Sequence, residues 1–499
     1  MVGMSRPERV TVALMVAALV AALVGMLGVA AGRPGDAPGD LGRAGAREPG
    51  PLEELAAKRD RRIARVAAHF AEQAAVAAAG GAGQQAPTVS SPARGWVGEQ
   101  PIDTRYDDWE PAIAADPNGP YVYAIVTRYA PKPCTGNCPS PWIAIERSSD
   151  GGATWTPGAP LCACKGSGQF DPIIEVVPDT GHVYAVYMNG FNVVFVKSAD
   201  HGASWSTPVR TWGTVSWNDK PVLAMSDDGR DVYVAWNGPT GGDPWLAQSH
   251  DSGATWTQTK IVDSDRYYFA FDADVSADGT IYVSQGSLRY GGKGRSGGVV
   301  GDVLQHVFIS RDRGATWRDL VVDAVATGEA CVAAGCSADF YLGHSAITAD
   351  ADGDLVLAYD GATATAGRQS IFVRRSTDGG RTWTARTAIS TAGEMATAPM
   401  IESRGQGDVR VAWYETVGGD HDAWNVRYRR SRDGGATWST AIRLSDAADG
   451  AGYKTAAGFA EVYGDYGEMA ITSAGKTIAI WGEGYSWIGP GGAWFNRES

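Results

Sequence analysis

One eight-residue pattern constrains this chain more than any other feature. Ser-x-Asp-x-Gly-x-(Thr/Ser)-Trp occurs six times, beginning at Ser148, Ser198, Ser249, Ser310, Ser376 and Ser431. Its aspartates are Asp150, Asp200, Asp251, Asp312, Asp378 and Asp433. Successive copies start 50 to 66 residues apart, the length of one four-stranded sheet with its turns. A fixed period of that size points to a radial array of sheets, a β-propeller. Within the box, a short polar side chain bonds nearby backbone N–H groups, Gly supplies a positive φ, and Trp packs against the sheet. The box is therefore a hairpin fastener, and its aspartates are structural.

Each box belongs to a larger unit. Ala112–Ala115 reads as a first strand, Val122–Val126 as a second and Trp142–Arg147 as a third. The box follows, then a short fourth strand near Ala159–Leu161. First strands recur near Ile173, Val222, Ala273, Ala346, Met400 and Met469, giving seven units for six boxes. A ring must close, because an open edge strand pairs with other chains. The stretch from Trp96 to Ile102 resembles the fourth strands and is expected to complete the last unit. The fold class is all-β: a propeller over residues 96–499 with seven blades, six being the alternative.

The N-terminal part reads differently. Residues 1–9 form a short n-region containing Arg6 and Arg9, and residues 10–31 run 22 positions without a charge. That length suits a membrane-spanning helix, whereas a cleaved signal has a core of about 7–15 residues. The expectation is an uncleaved anchor with the propeller outside the cytoplasm; cleavage near Val29-Ala30-Ala31 would give a secreted form. Residues 32–95 read as linker and stalk, with an Ala-rich helix over 52–79. Six cysteines suit an oxidising compartment. Cys134 and Cys138 are expected to pair with Cys162 and Cys164, and Cys331 with Cys336; a zinc site is the competing reading. The formal charge of -13 argues against a nucleic-acid partner.

Alternation of strands locates the functional face. If boxes join third and fourth strands at one end, first strands begin at the other, beside the exits of second strands. Loops on a rigid scaffold commonly carry sites. Residues at that face include Trp109, Glu110, Asp171, Asp219, Lys220, Tyr268, Asp272, His344, Asp465, Tyr466 and Glu468 before first strands. Arg128, Asn189, Asn237, Gln285, Asp360, Glu415 and Glu483 lie at second-strand exits, with Arg289 and Trp424 in long loops. Aromatics beside carboxylates and amides suit sugar rings. The competing role is structural, polar residues tying blades around a wet channel. His344 fits such a hydrogen-bonding role better than metal ligation. No cofactor is required, and a Ca²⁺-ordered loop is compatible with the acidic face.

The six boxes make the chain resemble the sialidase (Asp-box, or BNR) superfamily over about 400 residues. The resemblance implies the propeller fold, and an active site with three arginines on the substrate carboxylate, a Tyr–Glu pair and an acid/base Asp. The family's Tyr-Arg-Ile-Pro motif falls on Asp108-Trp109-Glu110-Pro111, where Trp109 replaces arginine and Glu110 adds a negative charge. Tyr466 matches the nucleophile's place, with Asp272 near its partner's place, Asp465 beside it, and Arg128 and Arg289 as remaining clamp candidates. Tyr463-Gly464-Asp465-Tyr466 also resembles a stretch of secreted bacterial Asp-box proteins. Three functions follow: a recognition module for a glycan, cell-surface polymer or protein; a hydrolase or lyase on a non-sialoside glycan; and a sialidase with a rearranged clamp.

Overall fold

The computed structural model describes residues 91–499, apart from 104, 131, 163–167, 217, 239–241, 293–297, 331–340, 451–466 and 484–491. The expected anchor, the stalk helix, Cys164, Cys331, Cys336, Asp465 and Tyr466 lie outside the described residues. No helix among the described residues is long and apolar enough to cross a membrane.

Seven four-stranded antiparallel sheets follow one another along the chain. Blade I spans 107–160, blade II 169–210, blade III 219–260 and blade IV 267–325. Blade V spans 345–388, blade VI 396–443 and blade VII 468–497. Blade VII takes its outermost strand from the other end of the sequence. Gln100–Pro101 pairs with Gly492–Arg497, Gln100 opposite Phe495 and Pro101 opposite Trp494. The ring thus closes by joining two segments almost 400 residues apart, which settles the blade number at seven.

Burial explains why the strands differ. Second strands are sandwiched by neighbouring blades on both faces and read as continuous apolar runs: all of Val122–Tyr129 and all of Ile281–Leu288 are buried. Fourth strands lie at the rim, and most are only two residues long. Blade III has a four-residue fourth strand, Thr257–Lys260, and blade IV departs furthest, with an eight-residue one, Arg318–Val325. Its edge is blunted: the Ala324 N–H donates to Asp323 at 2.9 Å, and an Arg374 N–H from blade V donates to the Val322 carbonyl.

All six boxes sit between third and fourth strands. In blade III, Ser249 Oγ donates to Asp251 Oδ1 at 2.8 Å and accepts from the Gly253 N–H at 2.9 Å. The Thr255 N–H donates to Asp251 Oδ1 at 2.8 Å, and Thr255 Oγ1 donates to Oδ2 at 2.6 Å. Gly253 has φ +80°, and a Cβ there would lie 2.1 Å from the Phe195 ring of blade II. The glycine therefore serves blade packing as well as the turn, a role invisible in the pattern itself.

One cysteine expectation needs correction. Cys134 is bonded to Cys138, not to Cys162 or Cys164, and the two Cα atoms are 6.0 Å apart. The tight turn through Gly136, with φ +116°, brings the sulfurs within one loop.

Candidate functional site

The first strands begin with a repeated irregularity. The pairing of first with second strand shifts between Trp109 and Ala112, Phe170 and Ile173, Asp219 and Val222, and Thr397 and Met400. At these bulges Glu110, Asp171, Lys220 and Ala398 hold φ of 52°, 46°, 48° and 49°. Each precedes a proline: Pro111, Pro172, Pro221 and Pro399. Proline cannot donate to the ladder and is tolerated at a bulge, which also re-aims the neighbouring side chain. Non-glycine residues in the left-handed region cost about 1 kcal/mol or more each. Three of the four are ionisable and sit on consecutive blades I, II and III.

These charged residues meet. Glu110 Oε2 accepts from Thr127 Oγ1 at 2.8 Å and from the Asp171 N–H at 3.1 Å, tying blade I to blade II. Asp171 is buried. Burial first, then the adjacent Glu110 charge, push its carboxyl well above the ordinary carboxylate range; Lys220 opposes this and Asp219 adds to it. A carboxyl so placed holds its proton more tightly than an exposed one does. The X-Pro repeat was readable in the sequence and marks these positions; the shared carboxyl pair was not.

Below this rim runs a cavity of about 550 Å³, lined by first strands of blades II to VII. Glu175, Asp272, Asp274, Glu402 and Glu468 line it, with Lys220 and His344 at the rim end. Three of these acids tie blades together. Asp272 Oδ2 accepts from the Ile347 N–H at 2.9 Å, Asp274 Oδ2 from Ala349 at 2.7 Å, and Glu468 Oε2 from Ile113 at 2.6 Å. Burial raises Glu175, Asp272 and Glu468 well above their ordinary range, raises Asp274, and pushes Glu402 up to about 8. Among the described residues, no group of three or more His, Cys, Asp and Glu side chains is arranged to hold a metal ion.

Several sequence candidates occupy a different place from the one expected. Trp109 is 2% exposed and packs edge-on against Tyr129 inside the blade I–II seam. Arg128 is fully buried, with Asp108 at 2.7 and 2.8 Å, Glu146 at 2.7 Å and Asp103 at 3.4 Å. Burial pushes Glu146 up to about 8 despite Arg128. Glu415 is buried and accepts from Trp413 Nε1 at 3.0 Å and the Thr391 N–H at 2.8 Å. Tyr268 and Trp424 are also buried; Trp424 Nε1 donates to the His421 carbonyl at 2.6 Å. Arg289 is exposed and pairs with Asp265 at 3.0 Å. Asp219 is half-buried beside the Asp171 carboxyl. The bulge accounts for Trp109: it shifts register where side-chain direction alternates, so residues before and after it exchange faces. The structure therefore brings together Glu110, Asp171, Asp219 and Lys220 on one side, and leaves Arg128 and Arg289 apart. Arg404 is the only arginine among the described residues lining the cavity.

On the far side of the ring, His344 is held by its neighbours. Its Nδ1 lies 2.6 Å from Asp360 Oδ2, and its backbone N–H donates to Asp360 Oδ1 at 3.1 Å. Thr397 Oγ1 of blade VI donates to Asp360 Oδ2 at 2.7 Å. The hydrogen-bonding role expected of His344 is the one observed.

No protein-family model matches the chain, and no curated protein matches it in sequence. Solved structures with a similar course include a protein of unknown function from Dyadobacter fermentans, at 15% identity and TM-score 0.46, covering 81% of this chain and 99% of that one. An ulvan lyase, described as a new family of polysaccharide lyase, is similar at 14% identity and TM-score 0.49, covering 79% and 95%. The intramolecular trans-sialidase from Ruminococcus gnavus is similar at 14% identity and TM-score 0.41, covering 82% and 98%. In fold, the chain is a seven-bladed β-propeller: seven four-stranded sheets close one ring, and the box fastener occupies the third turn of six of them.

Proposed function

We propose that this protein recognises a hydroxyl-rich, uncharged glycan at the channel mouth opposite the boxes. The observation that carries this reading is the set Glu110, Asp171 and Lys220, held in the left-handed region at the same place on three consecutive blades. Strain repeated at one structural position, with an ionisable side chain on three of the four blades that show it, is expected of a binding surface rather than of a turn that glycine could serve. A carboxylate acceptor, a protonated carboxyl donor and an ammonium donor together match the alternating donors and acceptors of sugar hydroxyls. Lys220 is the one cation of this set and already faces Asp171, so the set offers a sialoside's carboxylate no arginine clamp, which argues for an uncharged ligand.

A second reading is favoured by one observation. Asp171 is a raised carboxyl beside Glu110, the combination a glycoside hydrolase needs for an acid near neutral pH. We further propose an extracytoplasmic location, anchored or secreted through residues 10–31; the Cys134–Cys138 disulfide supports an oxidising compartment.

Glycan-array binding tests the main reading. Asp171→Asn and Lys220→Ala should each weaken binding at least about tenfold, the loss of one or two hydrogen bonds to a charged or polar partner, while leaving the melting temperature within a few degrees. Binding that survives both substitutions would place the ligand elsewhere. Turnover of a fluorogenic sialoside at a rate typical of enzymes would also overturn it.

A further inference from the structure

The cavity below the rim gathers acids from four blades. Glu175 of blade II, Asp272 and Asp274 of blade IV, Glu402 of blade VI and Glu468 of blade VII all line it, and the charges of the other four act on Glu175. Among the described residues, no hydrogen-bond donor meets either oxygen of Glu175. Glu402 and Glu468 each use Oε2 to accept a backbone N–H, from Ser403 at 3.1 Å and Ile113 at 2.6 Å, which leaves Oε1 open. The cations of the lining are engaged elsewhere. Arg404 donates to the Thr472 and Ser473 carbonyls at 2.5 and 2.9 Å, and Lys220 acts on Asp171 at the rim. Ser345 gives a second, separate sign. It lines the same cavity and is 1% exposed, and its Oγ has no hydrogen-bond partner among the described residues. It stands beside Asp272, because Ser284 Oγ reaches the Asp272 and Ser345 carbonyls at 3.4 and 3.3 Å. A buried hydroxyl without a partner is costly, and a native fold that keeps one commonly offers it to a ligand or an ordered water.

The layout selects the kind of cation. Among the described residues, no three His, Cys, Asp or Glu side chains converge as metal ligands, and about 550 Å³ holds far more than one water-sized ion. The acids are instead spaced along the channel. Asp272 and Asp274 are two positions apart on one strand, so they share a face and lie about 7 Å apart along it. Half-buried Met225 and Val275 add apolar wall beside them. Acids at intervals along a partly apolar wall suit ammonium groups at intervals joined by methylenes. We propose that the channel binds a linear polyamine, its ammonium groups held by Glu175, Glu402 and Glu468 with Asp272 and Asp274, and Ser345 Oγ as a further acceptor. An ammonium replaces the solvation that a carboxylate loses on burial, so binding favours the ionised acids and releases their protons. This site lies below the set of Glu110, Asp171 and Lys220 and does not depend on what that rim binds.

The test is calorimetric titration of the full chain with spermidine in about 0.1 M salt, where exposed charges are screened beyond about 10 Å. About one spermidine should bind per chain at pH 7, the number that one cavity of this size admits. The heat should change with the ionisation enthalpy of the buffer, because protons leave as the cation enters. Butylamine, with one ammonium, should bind at least about tenfold more weakly than putrescine, which has the same carbon chain and two. Glu175→Gln combined with Glu402→Gln should weaken spermidine at least about tenfold, and Ser345→Ala by a few-fold. Asp263→Asn should leave it unchanged, since that side chain is 84% exposed and alters only the net charge. Absence of binding at millimolar spermidine overturns the proposal. So does binding that survives the double substitution, falls equally with Asp263→Asn, or releases no protons. Mg²⁺ that displaces spermidine at equal concentration overturns it in favour of a metal ion. If the double variant does not fold, proton release and the butylamine comparison on wild type still decide.

Discussion

The two ends of this ring use the same residue type in opposite ways. At the box end, aspartate stands at the surface and is wrapped by local donors; Thr255 and Ser249 side chains and backbone groups hold Asp251 at a pKa of about 2. At the channel end, half-buried carboxyls crowd one another around the cavity; Glu402 is pushed up to about 8, and Asp272 and Glu468 well above their ordinary range, chiefly by desolvation. Both sets tie backbone together: Asp251 ties a turn within one blade, and Glu468 ties blade VII to blade I. Solvent access separates them. Where water screens the charge, hydrogen bonding lowers the acid's pKa; where the carboxyls crowd a narrow cavity, desolvation raises it.

The sharpest way to break this comparison is to remove a buried cation that offsets buried acids. Arg128 donates to Asp108 and Glu146 and lies near Asp103, all away from solvent. Arg128→Met keeps much of the volume and leaves three acids uncompensated. It should cost about 3–5 kcal/mol, the penalty of stranding buried charge. Urea unfolding at pH 7 checks this. A loss under about 1 kcal/mol would mean that the acids are already neutral and the cluster needs no cation.

The pH dependence of the channel end is the next largest effect. Glu146 and Glu402 titrate near 8 in the fold, against an ordinary value of 4.5. Between those values the folded protein binds more protons than the unfolded chain, so stability falls as pH rises. Each such group contributes up to about 1.4 kcal/mol per pH unit over that window, and nothing further above pH 8. Glu402→Gln, which keeps the shape and removes the titration, should flatten the slope between pH 5 and 8 and stabilise the protein at pH 8. Unfolding midpoints across that range measure it; an unchanged slope would show that water reaches Glu402 freely.

The same contrast explains what the sequence made legible. The box end is local: every partner of Asp251 lies within four residues, so a repeated pattern shows the structure directly. Blade number and ring closure followed from the repeat, and Trp96–Ile102 does complete blade VII through Gln100 and Pro101. The channel end is non-local. Glu468 meets Ile113 across 355 positions, and Asp272 meets Ile347 across 75. Position at the start of a first strand placed Trp109 at that face but said nothing of which way its side chain points, and beside the bulge at Glu110-Pro111 it turns into the seam. Arg128 stood as a clamp candidate because Glu146, 18 positions away on the next strand, claims it only once the sheet is paired. The Cys134–Cys138 bond is the converse case: a five-residue loop closes on itself, where a longer-range pairing seemed natural.

The smallest expected effect belongs to the box end and runs the other way with pH. Asp251→Ala removes acceptors for the Thr255 N–H, Thr255 Oγ1 and Ser249 Oγ. These groups lie near water, which replaces part of what is lost, so the cost should be about 0.5–2 kcal/mol. In the wild type, a carboxylate held at about 2 lends stability that is fully present above pH 4 and fades as pH falls toward 2, because there the unfolded chain binds more protons. Asp251→Ala should therefore converge with wild type in acid and differ most at neutral pH, whereas Glu402→Gln should differ most at pH 8 and converge near pH 4. Crossing the two measurements separates the ends: an Asp251→Ala penalty that grows at alkaline pH would place that aspartate among the buried acids. Ligand affinity per folded molecule should be untouched by Asp251→Ala, since its box and the channel mouth lie at opposite ends of the strands of blade III. Loss of binding without loss of stability would put the functional face at the box end instead.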